Sequence, residues 1–474
     1  MSHWKTIQEE VSGVVSGTSS AVLNVQKSLK LIEEASEYQA IIATLEKPAL
    51  EKAKIIDERI AKGESVGLLA GIPFIAKDNF LVFGAETTAA SNILKGFHAP
   101  YQSTAIEKLE AAGAICVAKA NLDAFAHGGS TENSDFFVTK NPHDVSRVAG
   151  GSSGGSAASV ALGLAPFALG TDTGGSIREP ASFCGVVGLK PTYGLVSRSG
   201  VVAMASSTDV IGPLTSNVQD AAVVLEVISG IDPLDSTTIA RDSVAYTSLH
   251  ASLEGKTVGV ITEYMGSGLD EDVKKVITDS IETLRKLGAT IKEVSLPSLP
   301  SALAVYYIVV PAEVSSNLSR YDGQRFGYSD QEAKTLEESY ELSRARGFGA
   351  EAKRRIMIGT HVLSSGYYDA YYKKAQTVRT KLIQEFSAAF EGIDFLVGPV
   401  TPEVAFKIGA NSDDPLKMYL IDIMTVAINL VGVPAISVPA GLAHNMPVGL
   451  QIIAPQRHDR QLLAAAQAFQ EANK

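Results

Sequence analysis

The sequence predicts an α/β protein in which helices cover both faces of a central mixed β-sheet. Amphipathic segments of helical length alternate with continuous apolar segments between residues 68 and 175, and further apolar segments return near the C-terminus. A short continuous apolar run is typical of a strand that is buried on both faces. Because such a strand needs a layer above and below it, the alternation predicts a sheet covered by helices on both sides.

Composition and charge narrow the class of protein. The chain has 474 residues, of which 45% are hydrophobic and 20% charged, and this excludes a disordered or collagen-like protein. Its formal net charge of −11 argues against a large nucleic-acid interface, since phosphate binding needs clustered Lys and Arg. The two cysteines, Cys116 and Cys184, cannot form a disulfide framework, so we expect a reducing, cytoplasmic setting.

The predicted helices and strands divide the chain into two parts. Residues 1–65 form a helical segment that packs on the core, and residues 66–474 form the main domain. Apolar spacings of three and four predict helices over 25–62, with a break at Pro48. A charged, Tyr-rich stretch at about 300–392 predicts a helical insertion. We expect the late strands to rejoin the first sheet. The predicted strands lie within 68–78, 114–120, 152–175, 256–262, 290–296, 395–402, 435–441 and 448–455.

One segment raises the question of a membrane span. Residues 423–443 carry no charge and are long enough to cross a bilayer. Pro434 and Pro439 interrupt the segment, and proline in a helix interior removes a hydrogen bond and clashes with the preceding turn. We therefore predict a buried helix that ends near Leu430, then a short strand, and no membrane span.

The strongest chemical signal is a Gly/Ser-rich belt at residues 149–180, where two Gly/Ser clusters flank an apolar segment. Flexible loops are the simplest interpretation of such a composition. The flanking apolar segment favours a second interpretation, in which both clusters are held at their ends and backbone N–H groups converge to bind an anion or oxyanion. Nucleotide binding has little support, because the lone Gly-Lys-Thr at 255–257 has His250 where a phosphate-binding loop needs glycine.

The belt also contains two overlapping G-x-S-x-G patterns, centred on Ser152 and Ser153. A nucleophile elbow would need a strand before the serine, a helix after it and a downstream histidine. Asn141 and Pro142 lie close upstream, where that strand should end, so the elbow stays a structural alternative. The histidines are scattered and no C-x-x-C occurs, which predicts that the chain binds no metal.

Lys77 closes a predicted buried strand. A lysine at a strand end usually reaches solvent, because removing an ammonium from water costs several kcal/mol. The alternative is a buried lysine whose pKa falls below its reference value of about 10.4, so that the amine can act in its neutral form.

Four segments together resemble the amidase-signature family: GIPFIAKDN (71–79), NLDAFAHGGSTENS (121–134), AGGSSGGSAA (149–158) and GTDTGGSIREPASFCGVVGLKPTYG (170–194). The resemblance implies the amidase-signature fold, with residues 66–474 as the catalytic domain. It also implies a Ser–Ser–Lys triad in which Ser176 is the nucleophile, Ser152 is a bridging serine next to a cis peptide bond, and Lys77 is the base. The N–H groups of Thr173, Gly174 and Gly175 would then form the oxyanion hole.

Within this family, residues 352–376 and 419–441 are similar to those of members that hydrolyse glutamine for a tRNA-dependent amidotransferase. That similarity implies that Arg355 binds the substrate carboxylate, with Arg354 as the alternative, and that Asp422 binds the ammonium. Either Tyr306 or Tyr307 would line the pocket. Without the resemblance, Arg355 is interpreted as a solvated helix residue. A stand-alone amide hydrolase with the same triad, or a non-catalytic scaffold, remain the alternatives.

The resemblance further implies two partner subunits, B and C, in a heterotrimer, and an ammonia tunnel between subunits. The partner would use ATP and Mg²⁺ to convert Glu-tRNA(Gln) to Gln-tRNA(Gln), so no cofactor is expected on this chain. Whether Asp-tRNA(Asn) is also served is left open. Three residues depart from the usual pattern: Ala124 replaces Glu, His127 replaces Met, and Glu179 replaces Gln. The first two bear on the tunnel.

Overall fold

The computed structural model describes residues 3–411 and 413–473. Within these residues, thirteen strands and fifteen α-helices are present. The strands are β1 Ile41–Thr44, β2 Pro73–Lys77, β3 Ile115–Ala120, β4 Lys140–Asn141, β5 Asp144–Val148, β6 Phe167–Asp172, β7 Val187–Lys190, β8 Val210–Thr215, β9 Thr257–Ile261, β10 Thr290–Val294, β11 Phe395–Pro399, β12 Ala435–Ala443 and β13 Met446–Ile453. The helices are α1 Ile7–Val15, α2 Ala21–Glu34, α3 Glu46–Ala61, α4 Thr104–Ala111, α5 Gly154–Ala161, α6 Arg178–Cys184, α7 Val218–Ile228, α8 Glu271–Lys286, α9 Ala302–Asn317, α10 Leu336–Gly347, α11 Ala350–Leu363, α12 Lys374–Ala389, α13 Pro415–Tyr419, α14 Val426–Val431 and α15 Asp459–Ala472.

A mixed sheet of eleven strands runs through the described residues, in the order β1-β3-β2-β6-β8-β7-β12-β13-β11-β9-β10. β2 pairs in parallel with β3 and β6, whereas β8 is antiparallel to β6 and β7. β12 pairs with β7, so the C-terminal strands join the first sheet as expected. The predicted fold class, a mixed sheet with helices on both faces, is confirmed.

Burial on both faces explains the continuous apolar strands. Alternate side chains of a strand point to opposite faces of the sheet. In β2, Phe74 and Ala76 join one apolar core, whereas Ile75 joins the other. α2, α3 and α5 supply buried residues to the core around Ile75, and α4 and α7 supply them to the core around Phe74. The central strands are therefore apolar at every position rather than at every second one.

The N-terminal segment is not purely helical, which corrects the prediction for residues 1–65. Residues 41–44 form β1, which pairs antiparallel with β3 at the sheet edge. The helix break therefore lies between α2 and α3, and not at Pro48. Pro48 is the third residue of α3. Proline is tolerated in a first helical turn, because the N–H group that it lacks would have no partner there.

The predicted insertion contains α9, α10, α11 and α12. In the described part of the chain, Leu299–Arg320 is the one helical run long and apolar enough to cross a membrane by length and composition alone. It includes α9, which packs against α11, α12 and α14. The segment 423–443, which raised the same question from sequence, instead contains α14 and all of β12.

A buried ion pair joins the two halves of the sheet. The Arg178 guanidinium donates to both carboxylate oxygens of Asp172, the last residue of β6, at 3.0 Å each. Arg178 also donates to Gln451 Oε1 in β13 and Asn429 Oδ1 in α14, each at 2.6 Å. Both ion-pair side chains are completely buried. Burial opposes ionisation of Asp172, but the charge and hydrogen bonds of Arg178 outweigh it and hold the Asp172 pKa at about 2.

We predict that Arg178→Met destabilises the protein by about 3–5 kcal/mol, because it leaves the Asp172 carboxylate buried and unpaired. The midpoint of denaturant unfolding measures the effect. Arg285→Met is the matched control, since Arg285 pairs with Glu282 on the exposed face of α8. That control should cost no more than about 1 kcal/mol. An Arg178 variant as stable as the control would contradict the assignment.

Candidate active site

Lys77 ends β2 with its side chain completely buried, so the expectation of a solvent-reaching lysine does not apply. Its Nζ atom lies 2.7 Å from Ser152 Oγ, 2.9 Å from Ser153 Oγ and 2.9 Å from Thr171 Oγ1. These close partners are neutral oxygens. The structure thus joins the end of β2 to the first Gly/Ser cluster and to β6.

Burial lowers the pKa of Lys77 to about 7, and the negative charges of Asp123, Asp172 and Asp209 offset part of this effect. Desolvation disfavours the charged form of an amine. A substantial fraction of Lys77 is therefore neutral near pH 7, and a neutral amine can accept a proton.

The two adjacent serines differ in their hydrogen bonds. Ser153 Oγ accepts a hydrogen bond from Lys77 and donates one to the Thr171 carbonyl at 3.1 Å. Its hydroxyl proton is therefore already used in a hydrogen bond inside the core. Ser152 Oγ accepts from Lys77, and the peptide bond between Gly151 and Ser152 is cis. This arrangement leaves the Ser152 proton available for transfer, as a bridging serine requires.

The second Gly/Ser cluster places Ser176 beside these serines. The Ser153 N–H donates to the Ser176 carbonyl at 3.1 Å, and the Ser176 side chain keeps 9% of its exposure. Asp172 fixes the loop on the other side, accepting from the N–H groups of Gly175 at 2.8 Å and Ile177 at 3.2 Å. Ser176 is thus held between a rigid carboxylate and the Ser152–Ser153 turn.

Neighbouring side chains require glycine at 174 and 175. A Cβ atom on Gly174 would lie 2.6 Å from the Tyr306 ring, and one on Gly175 would overlap Thr425 Oγ1. Gly175 also has a φ of +139°, which favours glycine. Because Gly175 N–H already donates to Asp172, the N–H groups of Thr173 and Gly174 are the stronger candidates of the predicted oxyanion set.

Arg355 and Asp422 line one cavity of about 190 Å³, together with Tyr307 and Gly129. Asp422 is linked to the Ser176 loop, because the Thr425 hydroxyl donates to the carbonyls of Gly174 at 2.5 Å and Asp422 at 3.0 Å. Arg355 and Asp422, which are far apart in sequence, therefore face one space.

The structure distinguishes Arg355 from its neighbour. Arg355 is buried, its Nε donates to Glu351 Oε1 at 2.8 Å, and its guanidinium lies over the rings of Tyr307 and Tyr419. Arg354 also lines the cavity and pairs with Glu351, but its side chain is 42% exposed. The interpretation of Arg355 as a solvated residue is wrong, because α11 turns this position inward.

Asp422 lies in a short 3₁₀ helix, Leu420–Met424, and accepts from the Tyr307 hydroxyl at 3.0 Å. Burial raises its pKa to about 7, while the Arg355 charge and the Tyr307 hydroxyl oppose the rise. Tyr307 is thus the tyrosine that lines the cavity. Tyr306 packs over Gly174 instead.

Ala124 and His127 are both buried. Neither ring nitrogen of His127 has a hydrogen-bond partner among the described residues. Burial lowers the His127 pKa well below its ordinary value, and the Arg355 charge lowers it further, so the ring is neutral. The effect of Ala124 and His127 on an ammonia tunnel stays a prediction.

The nucleophile-elbow alternative finds little support in the structure. β5 does precede Ser152 and Ser153, but it pairs with β4 outside the main sheet. The Ser153 hydroxyl contacts Lys77 rather than a histidine. Among the described residues, no group of three His, Cys, Asp or Glu side chains could hold a metal ion. That this chain needs no metal stays a prediction.

Sequence reasoning missed several residues that build the site. Thr171 contacts Lys77, Glu351 orients Arg355, and Tyr419 donates to Glu351 Oε1 at 2.9 Å. Glu351 precedes Arg355 by four residues, a spacing that brings side chains together on a helix and could have revealed the pair. Thr171 and Tyr419 carry no local signal of this kind.

Known proteins resemble this chain over nearly its whole length. The family model described as Amidase matches residues 24–463. The A subunit of glutamyl-tRNA(Gln) amidotransferase from Geobacillus thermodenitrificans is 52% identical over 450 residues, which cover 94% of this chain and 93% of that protein. The solved structure of the corresponding protein from Thermotoga maritima has a TM-score of 0.79 and 41% identity, covering 94% of this chain and 91% of its own.

A bacterial aryl acylamidase of the amidase signature family has a TM-score of 0.88 at 27% identity, covering 99% of this chain and 96% of its own. The same architecture therefore occurs in a protein named for a different amide. The resemblance drawn from the motifs is confirmed, and the chain belongs to the amidase family.

Proposed function

We propose that this chain is the glutamine-hydrolysing subunit of a tRNA-dependent amidotransferase and supplies ammonia for the conversion of Glu-tRNA(Gln) to Gln-tRNA(Gln). Similarity over nearly the full length to proteins named as glutamyl-tRNA(Gln) amidotransferase subunits supports this activity. The fold alone is shared with an aryl acylamidase, so the choice between substrates depends on the cavity.

The observation that carries the proposal is that Arg355 and Asp422 line one cavity, and that the Thr425 hydroxyl links Asp422 to Gly174 in the Ser176 loop. Free glutamine has a carboxylate and an ammonium at one end and a neutral amide at the other. The planar Arg355 guanidinium suits the carboxylate, and the Asp422 carboxylate suits the ammonium. A small polar amino acid therefore matches this space better than a bulky apolar amide.

In the proposed reaction, Ser176 Oγ attacks the side-chain carboxamide carbon of glutamine. Its proton passes to Ser152, whose own proton passes to the neutral Lys77 amine. A C–O bond forms and the carbonyl electrons move to the oxygen. The N–H groups of Thr173 and Gly174 stabilise this oxyanion, and losing one such donor typically slows a reaction by about 100-fold or more.

Collapse of the tetrahedral intermediate breaks the C–N bond. Lys77 returns its proton through Ser152 to the departing nitrogen, so that ammonia leaves and an acyl group stays on Ser176. Water then attacks the acyl group and loses its proton along the same route. Glutamate leaves, and Ser176 regains its hydrogen.

The ammonia would pass to partner subunits B and C in a cytoplasmic heterotrimer. We place ATP and Mg²⁺ on the partner, where they activate the glutamate of Glu-tRNA(Gln), and we assign no cofactor to this chain. Because ammonia must travel between subunits, Ala124 and His127 would influence its path. The same triad in a stand-alone amide hydrolase is the alternative that experiment must exclude.

The assignment is tested with the chain co-expressed with candidate partner subunits. We expect ammonia release from glutamine and glutamine-dependent amidation of Glu-tRNA(Gln). Arg355→Met should lower kcat/KM for glutamine by roughly 10- to 100-fold, since it removes a charge-assisted hydrogen bond. Arg354→Met, at the more exposed neighbour, should have the smaller effect. Strong turnover of aryl amides with none of glutamine would contradict the proposal and favour the stand-alone hydrolase.

The nucleophile is tested by covalent labelling. We expect a fluorophosphonate to label the wild-type protein, and Ser176→Ala to abolish the labelling because the attacking oxygen is gone. Ser153→Ala should still be labelled, since the Ser153 hydroxyl is committed to Lys77 and Thr171. Mass spectrometry of the labelled peptide identifies the site. Labelling that survives in Ser176→Ala and vanishes in Ser153→Ala would instead support the elbow enzyme.

The base is tested by pH. Since the Lys77 pKa is lowered to about 7, protonation below that pH removes the neutral amine. We therefore expect kcat at saturating glutamine to fall about tenfold for each pH unit below the pKa. Lys77→Met should have no measurable turnover while keeping the wild-type circular dichroism spectrum. A flat kcat profile down to about pH 5 would rule out Lys77 as the base.

A further inference from the structure

The peptide group between Gly174 and Gly175 is held at both of its polar ends. Its N–H donates to Asp172 Oδ1 at 2.8 Å, and its carbonyl accepts from the Thr425 hydroxyl at 2.5 Å. Both glycines are buried. Among the residues that the structure describes, the Thr425 hydroxyl is the one donor to the Gly174 carbonyl. The proposed reaction uses this loop but gives Thr425 no part in it.

Without these contacts the peptide group would turn over easily. A peptide plane flips by rotation of ψ in the residue before it and of φ in the residue after it, and both residues here are glycine. Glycine populates positive and negative φ about equally, so no side chain resists the rotation. The peptide group lies directly between the Gly174 N–H, a candidate oxyanion donor, and Ser176. Its orientation therefore sets how the donor and the nucleophile face each other.

The Thr425 hydroxyl has one proton and two carbonyl oxygens within reach. Thr425 lies, completely buried, between the 3₁₀ helix that carries Asp422 and α14. The Asp422 carbonyl is 3.0 Å from the hydroxyl oxygen, and it already accepts from the Thr425 N–H at 3.0 Å. The Gly174 carbonyl is closer and has no second donor among the described residues. The proton therefore goes chiefly to Gly174.

The buried ion pair fixes Thr425 in turn. The Thr425 carbonyl accepts from Arg178 Nη2 at 3.2 Å, and the same nitrogen donates to Asp172 Oδ1 at 3.0 Å. That carboxylate oxygen is also the one that holds the Gly175 N–H. The contacts close a ring through the carboxylate, the glycine peptide group, Thr425 and the guanidinium. Hydrogen bonds in such a buried network strengthen one another.

We propose that Thr425 is a positioning residue, whose hydroxyl holds the Gly174–Gly175 peptide group and so aims the oxyanion donors relative to Ser176. The inference rests on the proposed glutaminase function and adds a residue that acts through the loop. A displacement of about 1 Å in such a site can slow a reaction by about 100-fold. Because the oxyanion forms only on the way to the tetrahedral intermediate, the hydroxyl should support kcat and leave KM nearly unchanged.

The test replaces Thr425 with valine, which has the same shape but no hydroxyl, and with serine, which keeps the hydroxyl. Thr278→Val is the matched control, because the Thr278 hydroxyl donates to the Lys274 carbonyl on the exposed face of α8. All proteins are assayed in complex with their partner subunits. The measurements are kcat and KM for glutamine, and the rate and end point of fluorophosphonate labelling at Ser176.

The fluorophosphonate separates two roles of Thr425. It carries no ammonium, so its reaction does not depend on Asp422, whereas its phosphoryl oxygen takes the place of the oxyanion. The end point of labelling counts the competent sites. Both kcat and the labelling rate are expressed per competent site, so a partly unfolded variant does not imitate a misaimed loop.

We expect Thr425→Val to lower kcat and the labelling rate by about 10- to 100-fold each, while KM for glutamine stays within about threefold. Thr425→Ser should keep both rates within about threefold of the wild type, and the control should change neither. A loss confined to the number of competent sites would show a purely structural role. A change in KM with normal labelling would show that Thr425 only shapes the Asp422 site. Either result overturns the proposal, as do unchanged rates.

If Thr425→Val does not fold, Thr425→Ala takes its place, since it also lacks the hydroxyl and adds no bulk. Labelling of the alanine variant at the wild-type rate would overturn the proposal. Failure of the proposed function is a separate result. A wild type that is labelled at Ser176 and hydrolyses aryl amides but not glutamine is not a glutaminase, and the labelling rates of the variants still test Thr425.

Discussion

The site depends on the buried ion pair between Asp172 and Arg178. Asp172 ends a central strand and accepts from the N–H groups of Gly175 and Ile177, so one carboxylate sets the conformation of the loop on both sides of Ser176. Arg178 follows that loop and ties it to strand and helix residues from the C-terminal third of the chain. Removing either charge would leave the other unpaired in a low-dielectric interior, and this makes the loss of one partner strongly destabilising.

Much of the sheet could be predicted from the sequence, because burial on both faces imposes a local signature. Continuous apolar runs identified β2, β3, β6 and the C-terminal strands without any knowledge of their partners. β1 was missed, since its four residues at a sheet edge are only partly buried and carry no comparable run. Pro48 misled for a related reason, because the effect of proline depends on its distance from the start of the helix, which periodicity does not fix.

The site was less predictable, because its members come together only through long-range packing. The belt motif and Lys77 pointed to the right regions, but their union across 75 residues depended on family resemblance. Arg355 is the clearest case. The sequence of its helix is largely polar. No local pattern shows that the rings of Tyr307 and Tyr419 cover the Arg355 guanidinium, or that Glu351, one helical turn earlier, accepts a hydrogen bond from it.

Desolvation shifts the pKa values of Lys77 and Asp422, two ionisable groups that the proposed reaction uses. Burial makes Lys77 a weaker base but leaves a substantial fraction of it unprotonated near neutral pH, where a solvated lysine would be charged. The same burial pushes Asp422 and Glu179 toward their neutral forms. The interior that activates the amine therefore penalises an empty anionic pocket, and a ligand that brings its own positive charge relieves that penalty. Substrate recognition and activation of the base thus have a common origin in the exclusion of water.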